Sequence, residues 1–176
     1  MTSLVWRSGA AVFAAAALQG CAPVLDWRDV RPAGSGAVLL FPCKPLVQER
    51  PVALAGATVR LALHACSAGG LTWGLAHAEM TDPALVGPAL AALREGAARN
   101  LGATPAALAP CAIPGATPHP ESGSTRLEGR TPEGATLRMQ VLVCARGTQV
   151  IQASVVGEAL PEEAVQTFIS SVRFEQ

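Results

Sequence analysis

The sequence has no tyrosine, a single lysine and only three aspartates, and each shortage narrows what the chain can do. Asp26, Asp29 and Asp82 are the only aspartates, and Asp82 stands before Pro83 as a helix cap, so paired-carboxylate catalysis would have to draw on glutamate alone. No CxxC occurs, and the cysteines after Cys21 are spaced by 23, 45 and 33 residues, which does not match a zinc ribbon. No GxGxxG or GK[ST] follows a strand: Gly34-Ser35-Gly36 and Gly69-Gly70 lack that context, so phosphate binding has no support. No GxSxG is present, and Ser122 and Ser124 near His119 have no fitting acid partner. No apolar run reaches the roughly 20 residues needed to span a bilayer. The excess of arginine over a single lysine, with abundant Ala, Gly and Pro, looks like the coding bias of a GC-rich genome.

What is present begins with an address. Half of the 176 residues are hydrophobic although only 4% are aromatic, and part of that excess is one run, AAVFAAAAL at 10–18, preceded by the single charge of Arg7. Its length and flanks are those of a signal-peptide core. The run ends in Leu18-Gln19-Gly20-Cys21, which resembles the lipobox of bacterial lipoproteins. A small residue before the cysteine lets a peptidase approach, and the thiolate is the nucleophile that takes the lipid. The resemblance implies a diacylglyceryl group on Cys21, cleavage before it, and a membrane held through that lipid as the chain's first partner. Ala22 stands where lipoproteins kept at the inner membrane carry Asp, so the expected location is the outer membrane, facing the periplasm. Loss of residues 1–20 removes Arg7 and leaves a net charge near −1 with no basic block, which excludes a nucleic-acid partner.

In an exported chain the four remaining cysteines, Cys43, Cys66, Cys111 and Cys144, read as two disulfides. Three connectivities exist. Cys43–Cys66 with Cys111–Cys144 is preferred, because each pair then staples a loop of its own half of the sheet.

The expected organisation is a signal peptide over 1–20, a lipidated cysteine and flexible tether over 21–36, and one domain over 37–176. The tether holds Trp27 among Pro, Gly, Ser and charged residues. Apolar 37–41 is the first expected strand and 47–54 a weaker one. Over 58–66, Val59, Leu61, Leu63 and Ala65 are assigned to the buried face, Arg60 and His64 to the outer one. A turn over 67–70 returns the chain through 71–79. Asp82-Pro83 opens a helix in which Leu85, Ala89, Leu90, Leu93, Ala97 and Leu101 recur, Pro88 splits off its first turn, and Gly102 stops it. A loop with five prolines covers 103–121. Strands follow over 125–129, 137–143 and 150–156, then a helix from Pro161 with Glu162 and Glu163 at its start, and a short last strand at Val172–Phe174. This order predicts an α+β fold: an antiparallel sheet packed with two main helices.

The entry Phe41-Pro42-x-Lys44-Pro45, the hairpin, the helix with Leu-Arg-Glu-Gly at 93–96, the paired strands 137–143 and 150–156, and the ending Ser-Val-Arg-Phe together resemble the Mog1/PsbP-like domain over 37–174. The resemblance implies an α/β/α sandwich and no common chemistry; its eukaryotic members bind a small GTPase or a photosystem, and no residue role carries over.

Candidate chemistry is thin. His77-x-Glu79 with Pro110-Cys111 matches half of the zinc deaminase signature, but Pro114 stands where its second cysteine belongs. His64, His77 and His119 could meet with Glu79 or Cys66 around a metal, yet isolated histidines on strands are usually solvated or core-edge residues. The expectation is therefore no catalytic residue, no metal and no cofactor: a noncatalytic interaction or accessory module contacting another envelope protein. Its candidate contact residues are Trp27, Trp73 and the loop 103–124, although Trp73 also reads as core. The alternative is a small-ligand or metal-binding carrier.

Overall fold

Two strands with almost unbroken apolar runs, Leu71–Glu79 and Gln149–Gly157, lie at the middle of a six-stranded antiparallel sheet, because only a central position covers both faces of such a strand. The structure, a computed structural model, describes residues 24–104, 106–110, 112–131 and 133–175. The expected leader, Cys21 and Cys111 lie outside the described residues. In chain order the strands are β1 (Arg28–Val30), β2 (Ala37–Phe41), β3 (Leu46–Leu54), β4 (Ala57–Ala68), β5 (Leu71–Glu79), β6 (Gly123–Arg130), β7 (Thr136–Arg146), β8 (Gln149–Gly157) and β9 (Arg173–Phe174). The helices are α1 (Val86–Leu101) and α2 (Glu162–Ser170). The large sheet has the order β3-β4-β5-β8-β7-β6, and a small one the order β1-β2-β9. The fold is α+β, as expected.

Each face of the large sheet has its own core. On one side α1 lays Ala89, Leu90, Ala97, Ala98 and Leu101 against Met139, Val141, Val143 and Val150. The contact is close: a Cβ on Gly129 of β6 would stand 1.9 Å from the Leu101 carbonyl oxygen. On the other side β2, β9 and α2 cover Trp73, Leu75, Leu142 and Ile151. Phe168 of α2 meets Phe41 and Trp73 edge-on, each pair of ring centroids 5.3 Å apart. A 3-10 turn at Pro83–Leu85, capped by Asp82 Oδ1 accepting the Ala84 N–H at 2.8 Å, precedes α1. Pro88 sits in the first turn of α1, where a missing N–H removes no intrahelical bond.

Three assignments change. The expected tether is ordered through 28–30: Arg28, Asp29 and Val30 pair with Phe41, Leu40 and Leu39, so β1 belongs to the domain. In β4, Leu63 lies outside and His64 inside. The reason is that the core on the α1 side reaches β4 only at Val59 and Leu61, while the opposite face is buried at Ala62 and His64. Trp73 is the third, and it belongs to the site description.

Candidate functional site

His64 on β4 and His77 on β5 project from the same sheet face, because His64 pairs with Leu75 and His77 with Ala62, which makes the two histidines diagonal neighbours. Their rings stack at 5.5 Å between centroids and 22° between planes, and each residue is only 6% exposed. Gln149 of β8 reaches the His77 Nδ1 at 3.2 Å. Gly34 packs over the ring edge of His77, and its neighbour Ser35 is locked by donating to the Pro32 carbonyl at 2.7 Å and accepting the Ala37 N–H at 3.0 Å. Both Nε2 atoms are buried without a hydrogen-bond partner. Burial pushes both imidazoles below their ordinary pKa; His64 further depresses His77, and the Glu49 carboxylate partly offsets the effect at both. Near neutral pH the pair is therefore uncharged.

Two imidazoles are the whole of this donor set. Among the described residues no three of His, Cys, Asp and Glu converge on one point. His119 is elsewhere, with its Nδ1 accepting the Glu121 N–H at 3.0 Å and its ring against Gly87 of α1. Glu79 accepts from the Thr148 hydroxyl at the far end of β5. The half-signature His77-x-Glu79 thus lies along a strand, away from any helix start.

Trp73, a candidate contact residue, is fully buried between Trp27 and Phe168, and its Nε1–H donates to the Ala68 carbonyl at 3.1 Å. Burial of its whole ring in the core takes it out of any surface. Trp27 is half-buried and presents its edge to Trp73 at 5.7 Å, so it docks on the domain. The loop 103–124 borders an open cleft of about 500 Å³ lined by Ile113, Pro114, Ala116, His119, Ser122 and the fully buried Cys144. Arg94 holds the loop through Glu121 at 3.0 Å. Of the two expected disulfides, Cys43–Cys66 is formed; the pairing of Cys144 with Cys111 falls partly outside the described residues.

One surface was not singled out by the sequence reading. The exposed large hydrophobic residues among those described are Val24, Leu46, Val47 and Leu63, at 75, 75, 54 and 37% exposure; Leu46 and Val47 lie on opposite faces at the start of β3, Val24 beside the turn that ends β4, and Leu63 midway along β4. Leu46 pairs with Ala65 and Val47 with His64 at the start of edge strand β3. Val24 and Leu25 pack on Gly69, in the turn that ends β4. The Cys43–Cys66 disulfide lies between, and the exposed Lys44 borders it. A shallow cleft of about 400 Å³ runs beside the disulfide, with Leu46, Ala65, Ser67 and Thr72 along it. The signal for this surface was the adjacent pair Leu46-Val47, which breaks alternation by placing a large apolar residue on each face of a strand with little cover.

No family model, curated protein or solved structure matches the chain. No helix among the described residues is long and apolar enough to cross a membrane.

Proposed function

We propose that the chain is a lipid-anchored lipoprotein of the bacterial envelope, facing the periplasm from the outer membrane, whose α+β domain serves as a noncatalytic interaction module for another envelope protein. The observation that carries the reading is the junction of address and domain. Leu18-Gln19-Gly20-Cys21 is followed three residues later by chain already packed on the domain, with Leu25 against Gly69 and the Asp26 N–H donating to the Pro42 carbonyl at 2.8 Å. A lipid on Cys21 would hold such a domain beside the bilayer by one defined end.

The noncatalytic part rests on the state of the candidate groups: the stacked histidines are shut away, and burial favours their neutral forms. The Mog1/PsbP-like assignment is part of the same proposal. Supporting it is the layering, with α1 on one face of an antiparallel sheet and α2 with the small sheet on the other. Fold-level likeness assigns no chemistry by itself.

Intact mass spectrometry and affinity purification of the tagged full-length protein from its own envelope test the reading. A mature species beginning at acylated Cys21, released to the soluble fraction by Cys21→Ser and co-purifying with a stoichiometric envelope protein, is the expected result. An unmodified amino terminus overturns it.

A second reading, a carrier of a transition-metal ion, is favoured by the two orphaned Nε2 atoms on adjacent buried imidazoles. Stoichiometric metal in the purified native protein, lost in His64→Gln/His77→Gln, together with no protein partner, would put this reading first.

A further inference from the structure

We infer that the apolar corner formed by Val24 and the start of β3, Leu46 and Val47, is a membrane-docking surface, seated in the lipid interface of the bilayer that the acylated Cys21 enters. The inference rests on the lipoprotein reading and adds to it an orientation and a second point of attachment.

The occupant follows from where the chain comes in. Val24 is three residues from Cys21, and a chain spans at most about 3.6 Å per residue, so a lipid-bearing Cys21 lies within roughly 11 Å of Val24. Val24 packs on Gly69, in the turn between β4 and β5. The same end of the sheet carries the disulfide and Leu46. A bilayer holding the acyl chains is therefore within reach of these side chains.

The chemistry of the corner suits that neighbour. Leu46 and Val47 are 75% and 54% exposed among the described residues, and neighbouring exposed apolar residues of this size call for a partner surface. The rest of edge strand β3 is guarded in the way soluble edges are, by Gln48, Glu49, Arg50 and Pro51. Only its anchor-proximal start lacks such residues. Beside that start stands Lys44, the single lysine of the chain, exposed and placed to meet phosphate headgroups. The nearby Asp26 is ion-paired with Arg28, and Glu49 of β3 with Arg60. Lipid chains and a small apolar patch acting together anchor more firmly and in a more fixed orientation than either alone. β5 leads away from this end, which puts the 3-10 turn near Ala84 on the side turned from the bilayer, roughly 30 Å off at the rise of a strand.

The test uses the full-length acylated protein, purified from its host and reconstituted into vesicles of phosphatidylethanolamine and phosphatidylglycerol, with or without lipids brominated near the headgroup. Leu46→Trp and, as a second reporter, Val47→Trp are compared with Ala84→Trp and with the unsubstituted protein, and intact mass reports the acyl groups of every sample. The expected result is about a twofold loss of the added emission at positions 46 and 47, with none at 84. Acylated protein with no quenching at 46 or 47, or with equal quenching at all three positions, overturns the docking and leaves the lipoprotein reading standing. A concentration-dependent blue shift at 46 without quenching gives the corner to a second copy of the chain. Absence of acyl mass on Cys21 overturns both.

Discussion

Removing the Cys43–Cys66 disulfide is expected to cost about 3.4 kcal/mol of stability. The crosslink joins residues 23 apart in sequence, and the chain-entropy relation applied to a loop of that length gives about 11 cal/mol/K, or about 3.4 kcal/mol at 25 °C. The structure indicates where the loss should be felt. Most of β3 is exposed, Leu54 alone is buried, and α1 reaches it only near that end. The disulfide is therefore the principal tie between the start of β3 and the body of the domain, apart from the ladder to β4. Urea unfolding of the Cys43→Ala/Cys66→Ala variant should show an earlier midpoint, and hydrogen exchange should show the amides of 46–49 opening well before those of β5 and β8. A loss below about 1 kcal/mol, with exchange over 46–49 unchanged, would refute the reasoning: it would mean that the antiparallel ladder alone pins the edge and already restricts the unfolded chain.

Gly129→Ala should destabilise by about 3 kcal/mol or more, because the obstacle is the Leu101 backbone carbonyl rather than a side chain that can swing aside; thermal unfolding checks this, and a change in midpoint of under a degree would count against the close packing of α1 on β6. Stability should depend on pH through His64 and His77. Their folded-state affinity for protons lies below that of the unfolded chain, so the unfolded state binds more protons as the medium is acidified. Their contribution is thus fully present above about pH 6.5 and is lost as pH falls through the lowered pKa values, each tenfold difference in proton affinity contributing about 1.4 kcal/mol. Urea midpoints between pH 8 and 5 should fall for the native protein and fall less for His64→Gln/His77→Gln. Ala55 holds φ of 51° in the turn between β3 and β4, a region costly for any residue with a Cβ, so Ala55→Gly should raise stability by about 0.5 kcal/mol after the entropy of the freer unfolded chain is subtracted.

Much of the fold could be read from the residues because local pattern and tertiary environment agree there. β5, β7 and β8 announce themselves through β-branched and aliphatic runs, α1 through its Asp82 start and Gly102 stop, and the Cys43–Cys66 bridge through cysteine parity. The reading fails where a residue's environment is set by something distant in sequence. Arg28-Asp29-Val30 has two charges and no alternation, and becomes a strand because the edge of β2 offers it hydrogen bonds. In β4 the alternation predicts a single buried face for the whole strand, whereas two covers at opposite ends exchange inside and outside near residue 63, which hides His64 and bares Leu63. The stacking of His64 on His77 could not be foreseen without the register that makes them diagonal. The apolar corner escaped notice for the opposite reason: Leu46 and Val47 look like ordinary strand residues until the edge position of β3 is known.

β2 is flanked by the first and last strands of the domain, with Val30 opposite Leu39 and Phe174 opposite Ala37. A chain made or translocated from its amino end holds β2 early, but one side of that strand stays open until residues 173–174 arrive. Closure of the small sheet is consequently a late event, and contacts between such remote segments form slowly. A nascent or proteolytically shortened chain lacking Arg173 and Phe174 would expose the apolar ribbon Ala37–Phe41 as a naked template for aggregation. The pairing of Arg173 and Phe174 with β2 therefore ties the closing of the small sheet to segments far apart in sequence.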